Sequence, residues 1–448
     1  MPSPLPHPLR SAALRASPPL ILAAGFLALI ALGTVLLALP IAAPTRLDPF
    51  HALFMATSAV TVTGLSVINP AHELTTFGQV VLIGLVQLGG LGFVTFAVLT
   101  ALAMGRKLSL RQQALALQAF NQTNVARIQR TAATVIRISL VVELSAALVL
   151  TLWWWREMPF GSALGYGLFH AIAAFNNAGF SLFENSLTDF AADAVVLLTI
   201  SALIILGGIG FSVLHNTWHK KGRWAHLTPY ARIILLGTLI LNLTGFALLW
   251  LLEYSNDDTL GALSLQGQAL SAWLQSVTAR TAGFTSIDIT LLRDSSTIVL
   301  MVLMFIGGGS LSTASGIKIG TFIILLAVVR SYLVQSRDVV LMKRSIEPET
   351  IHKSLALVFV TMVFALVGVF LLTVFEDRPF IDLLFEAISA LSTTGMSRDL
   401  TPVLSLPSKA ILITMMFAGR LGPLTLIYTL ATRQHSRVRY PVAEFPVG

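Results

Sequence analysis

Four short segments of this chain align on a glycine without gaps. They read LFMATSAVTVTGLS (Leu53–Ser66), LFHAIAAFNNAGFS (Leu168–Ser181), AWLQSVTARTAGFT (Ala272–Thr285) and LFEAISALSTTGMS (Leu384–Ser397). Gly64, Gly179, Gly283 and Gly395 fall in register, 115, 104 and 112 residues apart. Each segment lies between two long apolar stretches. Its helical part is too short to cross a hydrocarbon core of about 30 Å. The pattern predicts four units, each an outer helix, a short re-entrant pore helix, a glycine loop and a second helix. Four such units in one orientation close around a central axis.

The solvent for this arrangement is lipid. The 448 residues are 55% hydrophobic and 11% charged, with mean hydropathy +0.81. Soluble proteins carry about a quarter charged residues. The expected class is an all-α polytopic membrane protein with eight spans and four re-entrant pore loops. The apolar stretches are 17–40, 76–104, 130–155, 191–215, 229–254, 294–330, 350–375 and 407–432. Arg10 and Arg15 before Pro18–Pro40 have the look of a signal peptide, but the apolar run exceeds the usual roughly 7–15 residues. It reads as the first span. The predicted division is a tail (1–16), repeat 1 (17–104), a linker (105–129), repeat 2 (130–215), a linker (216–228), repeat 3 (229–330), a linker (331–349), repeat 4 (350–432) and a tail (433–448). The chain has no cysteine, which excludes disulfides and thiolate metal sites.

Charge then orients the chain. With both termini cytoplasmic, the cytoplasmic stretches hold 20 Lys/Arg and 4 Asp/Glu, and the opposite side holds 6 and 16. That asymmetry is the positive-inside pattern. The high pI therefore reflects topology, and a nucleic-acid partner is not expected. Membrane lipid is. The acidic outer face would concentrate cations.

The second helices share a motif of their own: QLGGLGFVTF (Gln87–Phe96), ILGGIGFSVL (Ile205–Leu214), FIGGGSLSTASGIKIGTF (Phe305–Phe322) and FAGRLGPLTL (Phe417–Leu426). Close helix packing accounts for Gly89, Gly90, Gly207 and Gly208. The third copy differs. Gly307–Gly316 holds four Gly and four Ser/Thr. Glycine costs a helix about 1 kcal/mol relative to alanine. Irregular backbone at membrane depth must be buried or line water. A broken helix with a mobile insert at 307–316 is expected. Leu108–Asn124 reads as a surface helix between repeats.

The loops suit a monovalent cation. Backbone carbonyls replace an ion's hydration water without full charges, so the ion binds and leaves. Aiming them at an axis needs dihedrals that glycine tolerates best. Each glycine follows small or polar residues: Thr61, Val62 and Thr63; Asn176, Asn177 and Ala178; Thr281 and Ala282; Ser392, Thr393 and Thr394. The C-terminal ends of the re-entrant helices point at these loops, and their partial negative charge favours a cation.

At these motifs the chain resembles the Trk/Ktr/HKT superfamily of potassium transporters. The carriers are TVTGLS, FNNAGF, RTAGF, STTGMS, GGGSLSTASGIKIGTF and the arginine of FAGRLGP. The resemblance implies a selectivity filter at Gly64, Gly179, Gly283 and Gly395 with the residues just before them. It implies an intramembrane gate over Gly307, Gly308, Gly309, Ser310, Ser312, Thr313, Ser315 and Gly316. Arg420 becomes a positive barrier below the filter. The absence of earlier spans and the ending RYPVAEFPVG favour the bacterial Ktr membrane subunit. Gly64, where sodium-preferring plant members often carry serine, favours K+. The resemblance further implies a homodimer in the bacterial cytoplasmic membrane, docked on a cytoplasmic RCK-type ring that binds ATP or ADP. K+ is the cargo, Na+ dependence stays open, and this chain itself binds no nucleotide, having no G-x-x-x-x-G-K-[ST] loop.

The remaining ionisable groups are read individually. Arg280 belongs to the third motif and is expected to brace its loop. Lys318 is either a gate element or an interfacial snorkel. Glu143 is either a proton or sodium site or a satisfied polar contact. Glu386 and His170 share a column with Met55, which argues for local hydrogen bonds. A sodium or mixed-cation carrier is the nearest alternative. An intramembrane enzyme built on Thr313–Gly316 leaves the fourfold repeat unexplained. An organic-solute transporter would show pairwise inverted repeats.

Overall fold

The computed structural model describes residues 18–92 and 125–422, of which the helices α1 to α14 form the bulk. The first glycine segment lies between α1 (Pro18–Leu37), α2 (Pro49–Thr61) and α3 (Thr76–Gly90). The second is framed by α4 (Val125–Trp154), α5 (Phe160–Phe175), α6 (Ala194–Gly208) and α7 (Phe211–His219). The third has α8 (Pro229–Glu253), α9 (Leu265–Thr278), α10 (Asp294–Phe305) and α11 (Ile319–Leu333). The fourth has α12 (Pro348–Phe375), α13 (Phe380–Ser392) and α14 (Leu406–Leu421). A small hairpin, β1 (Val340–Leu341) with β2 (Arg344–Ser345), joins α11 to α12. The predicted surface helix at 108–124 and the tail after 433 lie outside the described residues.

Local chemistry sets the helix starts. Asp48 accepts from the Phe50 N–H with Pro49 at the first helical position, and Thr75, Thr228 and Ser264 cap α3, α8 and α9 through their hydroxyls. Asp193 caps α6 by accepting from both Val195 and Val196.

Packing is inverted relative to a water-soluble protein. The short helices α2, α5, α9 and α13 form the interior, where Thr57, Ser58, His170, Gln275, Ser276, Glu386 and Ser389 are buried. The long helices turn leucine, valine and phenylalanine outward: Leu144 and Leu148 on α4, Ile240 and Leu251 on α8, Phe359, Leu366 and Phe370 on α12 are all exposed. Such a surface has no stable place in water but costs nothing against hydrocarbon. Among the described residues, three helices are long and apolar enough to cross a bilayer alone, at Ala133–Trp154, Pro229–Glu253 and Pro348–Phe375. Five shorter apolar helices, among them α3, α10 and α11, accompany them.

Among the described residues, two predicted spans prove to be broken. The stretch 294–330 divides into α10 and α11 around the glycine-rich insert, as its composition led us to expect. The stretch 191–215, read from sequence as one continuous span, divides as well. Gly210 has φ +95°, and α6 and α7 meet at 99°. Gly207 and Gly208 within ILGGIG drew attention as packing glycines, but the break falls at Gly210, where only a residue without Cβ adopts that dihedral easily.

Candidate functional site

The four repeat glycines converge. A Cβ placed on Gly64 would collide with the Ala178 carbonyl oxygen and lie 3.1 Å from the Gly179 Cα. One on Gly179 would lie 2.7 Å from the Ala282 oxygen and 3.0 Å from the Gly283 Cα. One on Gly283 would meet the Thr394 oxygen, and one on Gly395 would meet the Thr63 oxygen and lie 2.9 Å from the Gly64 Cα. Each loop thus abuts the next in chain order, and the fourth returns to the first. The result is a closed ring of four glycines.

Every loop has the same backbone alternation. The glycines have φ of +96°, +66°, +88° and +85°, and the residues two positions earlier, Val62, Asn177, Thr281 and Thr393, have φ of +57°, +59°, +71° and +51°. Three of these four are β-branched, for which a positive φ is a genuine outlier. Such conformations cost about 1–3 kcal/mol each and persist where the surroundings over-determine them. In loops 1, 2 and 4 a Schellman closure does so. Thr63, Ala178 and Thr394 N–H donate to the Ser58, Ala173 and Ser389 carbonyls, at 2.8 Å in each case. Loop 3 closes differently, with Ala282 N–H on Thr278 O at 2.9 Å.

The residue three before each glycine locks its loop in one of two ways. In loops 1 and 4 the lock is local. Thr61 and Ser392 hydroxyls donate to the Thr57 and Ile388 carbonyls and pair with Thr63 and Thr394 hydroxyls at 2.8 and 2.7 Å. Ser58 and Ser389 hydroxyls also accept the Gly64 and Gly395 N–H. In loops 2 and 3 the lock reaches outward. Asn176 bonds to Gln87 and Glu143, and Arg280 donates to Asn242 Oδ1 (2.9 Å) and the Gly307 carbonyl (3.4 Å). Arg280 therefore links its loop to α8 and to the glycine-rich insert.

The column nine residues before the glycine forms a second set of braces. Ser66 donates to Met55 Sδ (3.3 Å), His170 is hydrogen-bonded to Ser181 (3.0 Å), and Ser397 donates to Glu386. Each ties a short helix to the residue two beyond its own glycine. Three chemically unlike residues do one mechanical job.

The second-helix glycines pack against the ring from outside. A Cβ on Gly89, Gly207 or Gly419 would collide with the carbonyl oxygen of Val60, Phe175 or Leu391, each four residues before its ring glycine. No other residue admits this approach.

The insert lies against the C-terminal end of a short helix, at Phe175 of α5. Phe305 and Ile319 bracket it, closed by a bridge between Ile306 and Ile317. Its Thr313 hydroxyl donates to the Phe175 carbonyl (3.2 Å) and meets Asn177 Oδ1 (3.3 Å). Gly309 N–H donates to Gly208 O at 2.8 Å, and Phe211 N–H returns a bond to Leu311 O at 2.9 Å. Three cations hold it by its oxygens. Arg280 donates to Gly307, Lys318 Nζ donates to Ala314 O at 2.6 Å, and Arg420 donates to the Thr313 carbonyl and Ser315 Oγ. The other end of the Arg420 guanidinium donates to Gly89 O (2.6 Å) and Gly90 O (3.2 Å). Lys318 turns back onto the insert and does not extend away from it. Gly308, Ser310, Ser312 and Gly316 complete the same loop, with Ser312 Oγ on Gly309 O at 2.7 Å and Ser310 N–H on the Tyr230 hydroxyl at 3.2 Å.

On the opposite side of the ring opens a cavity of about 660 Å³ lined by all four glycines. Its wall carries Glu184, Asp258, Asp288 and Asp399. The Asp399 carboxyl sits above its ordinary pKa range, through partial burial and then through repulsion by Asp288. The wall is held by Arg398, which sequence reading overlooked. Its guanidinium pairs with Asp382 (2.7 Å) and donates to the Ile289 carbonyl (3.1 Å), the Thr290 carbonyl (3.1 Å) and Thr297 Oγ1 (3.0 Å). Arg398→Ala leaves a half-buried carboxylate and two carbonyls without donors. We expect it to cost about 2–4 kcal/mol of stability, read as a lower midpoint of thermal unfolding in detergent. An unchanged midpoint would show that the clamp is redundant. Gln87 and Asn242 were overlooked for the same reason: only the fold brings them to the loops.

The chain is 42% identical to the Ktr system potassium uptake protein B of Bacillus subtilis, over 97% of both chains. It is 40% identical to the protein of the same name from Vibrio alginolyticus, over 94% of this chain and 93% of that one. To the potassium/sodium uptake protein NtpJ of Enterococcus hirae it is 32% identical, over 97% and 98%. Its fold is similar to the crystal structure of the potassium transporter TrkH from Vibrio parahaemolyticus, with a TM-score of 0.70 at 21% identity, over 91% of this chain and 85% of that one. The TrkH family profile, described as cation transport protein, matches residues 15–439, and the chain is a member of that family.

Proposed function

We propose that the chain is the ion-translocating membrane subunit of a Ktr-type potassium uptake system. The observation that carries this reading is the closed ring of four glycine loops between an acidic cavity and a cation-held insert. In this reading the architecture is eight spans, several of them broken, with α2, α5, α9 and α13 as four re-entrant pore helices. The ring is the selectivity filter: carbonyls of Thr61 to Gly64, Asn176 to Gly179, Arg280 to Gly283 and Ser392 to Gly395 bind dehydrated K+ in passing. The carboxylates of the cavity face the cell exterior and raise the local cation concentration. The insert Gly307–Gly316 with Lys318 is the gate, and Arg420 is both its latch and a positive barrier beneath the filter. The protein sits in the bacterial cytoplasmic membrane with both termini in the cytoplasm.

The name of the Enterococcus relative pairs potassium with sodium, and this supports Na+ dependence as the first variation to examine. An enzyme on Thr313–Gly316 has little to recommend it, because the Ser315 hydroxyl faces a guanidinium and not a base. The test is expression in a bacterium lacking potassium uptake. Growth at limiting K+ and saturable K+ uptake are expected, with Rb+ and Na+ uptake measured alongside. Absence of K+ uptake by a folded, membrane-inserted protein, alone and with its regulator, would reject the reading.

The names of the two Ktr relatives describe one component of a system. We expect a homodimer of this chain to bind a cytoplasmic RCK-type ring loaded with ATP or ADP. Co-expression with such a soluble regulator should yield a complex on purification, with flux that differs between ATP and ADP. Full, nucleotide-independent uptake without co-purification would exclude this partner.

A further inference from the structure

Resting on the filter reading above, we infer that Glu143 is a positioning residue for the second filter loop, acting on Asn176 through the Gln87 amide. Three elements meet there: α4 supplies Glu143, α3 of the preceding repeat supplies Gln87, and the loop supplies Asn176. Glu143 and Asn176 are buried at 3% and 0% exposure. Gln87 Nε2 donates to both Glu143 oxygens at 3.2 Å. Asn176 Nδ2 donates to Gln87 Oε1 at 2.7 Å and to the Ile172 carbonyl at 2.9 Å, with Glu143 Oε1 at 3.3 Å.

The chemistry of the chain's two ends fixes both amides. An ionised carboxylate has no proton to give, so the two Glu143 oxygens facing Gln87 can only accept. Glu143 therefore selects the Gln87 flip that turns Nε2 towards it, and this turns Oε1 towards Asn176. The Ile172 carbonyl is also an acceptor and demands the Nδ2 side of Asn176. Both demands agree. Rotating either amide by half a turn would set N–H against N–H or oxygen against oxygen. The Asn176 Oδ1 is thereby directed at Gly90, where a Cβ would collide with it, and finds no hydrogen-bond donor among the described residues.

Loop 2 needs this anchor because it lacks the local one. The hydroxyls that accept the Gly64 and Gly395 N–H, Ser58 and Ser389, are replaced in its column by Ala173. The hydroxyl pairs Thr61–Thr63 and Ser392–Thr394 are replaced by Asn176 and Ala178. Asn176 leads into Asn177, whose φ is +59° and whose carboxamide oxygen receives the insert's Thr313. Loosening Asn176 frees the backbone that aims this quarter of the ring. The expected effect falls on ion discrimination and not on folding alone.

The test measures saturable K+ and Na+ uptake by the full chain for Glu143→Gln, Glu143→Leu, Gln87→Leu and the Glu143→Leu/Gln87→Leu double variant. Monodispersity and thermal midpoint in detergent are measured on the same preparations. The parent's own K+ uptake checks the filter reading first and separately. Glu143→Gln keeps an acceptor oxygen and should discriminate K+ from Na+ within about threefold of the parent. Each leucine variant should lose about tenfold in that ratio, the size of one buried hydrogen bond. The double variant should be no worse than either single one, because both cut the same chain. Parental discrimination in folded Gln87→Leu would overturn the inference, even if Glu143→Leu fails to fold. So would a Glu143→Gln variant as impaired as Glu143→Leu, since charge and not acceptor geometry would then be the requirement.

Discussion

Gly395→Ser is expected to raise the half-saturating K+ concentration about tenfold or more and to erode discrimination against Na+. Two effects act together at this position. The backbone holds φ +85°, a region that costs an L-residue roughly 1–2 kcal/mol. The new Cβ would also collide with the Thr63 carbonyl and lie 2.9 Å from the Gly64 Cα. Neither neighbour is a flexible side chain that can swing away. Both are backbone of the adjacent loop, so the strain passes from loop 4 into loop 1. Gly64→Ser and Gly283→Ser, which face Ala178 and Thr394 carbonyls, should behave alike. Gly179→Ser meets its neighbour at 2.7 Å and should be the mildest of the four. Gly84→Ala is the control. Nothing lies within 4 Å of its added methyl, and a helical glycine gains from the change. Concentration-dependent Rb+ uptake with Na+ competition is the measurement. Four serine variants as selective as the Gly84→Ala control would exclude the ring as the filter.

Arg420→Ala is expected to raise the maximal uptake rate several-fold while the half-saturating concentration stays near the parent value. The guanidinium joins the insert, through Thr313 and Ser315, to the second helix of repeat 1, through Gly89 and Gly90. Charge-assisted hydrogen bonds are each worth about 1.5–3 kcal/mol, so this is a strong latch. Removing it releases the insert and, on the reading proposed above, also removes a positive charge from the ion's path. Arg420→Lys separates the two effects. A charge barrier alone would leave lysine at the parent's rate. A lysine ammonium keeps the charge but cannot span four acceptors on two elements as a planar fork does. We therefore expect an intermediate rate. Deleting Ser310–Ser315 removes what Arg420 grips and should reproduce the alanine phenotype, with the ring and its affinity intact. Equal flux in the parent, both Arg420 variants and the deletion would reduce Arg420 to a packing role.

Much of this arrangement is legible in the repeat itself. Gly64, Gly179, Gly283 and Gly395 share a register because each sits where only glycine allows both a positive φ and a carbonyl at contact distance. Such a requirement acts on one position at a time, and a single position leaves a mark in sequence. The same holds for the four glycines of 307–316, which no continuous helix would carry. The bend at Gly210 escaped because one glycine in an apolar run is locally indistinguishable from a packing glycine. Its necessity comes from the Ser310 carbonyl pressed against it from another repeat.

Composition and the four registered glycines were enough to determine a helical membrane chain and the positions of its glycine loops. Backbone dihedral limits and transfer out of water are properties of short segments, and a sequence states them directly. The tertiary structure alone decided the order in which the loops touch, the two ways they are locked, and the partners of Arg280, Arg398, Arg420 and Glu143. Those partners are mostly carbonyl oxygens and amides, 16 to 331 residues away. A backbone carbonyl has no side-chain identity, so the donor it satisfies leaves no complementary residue to read.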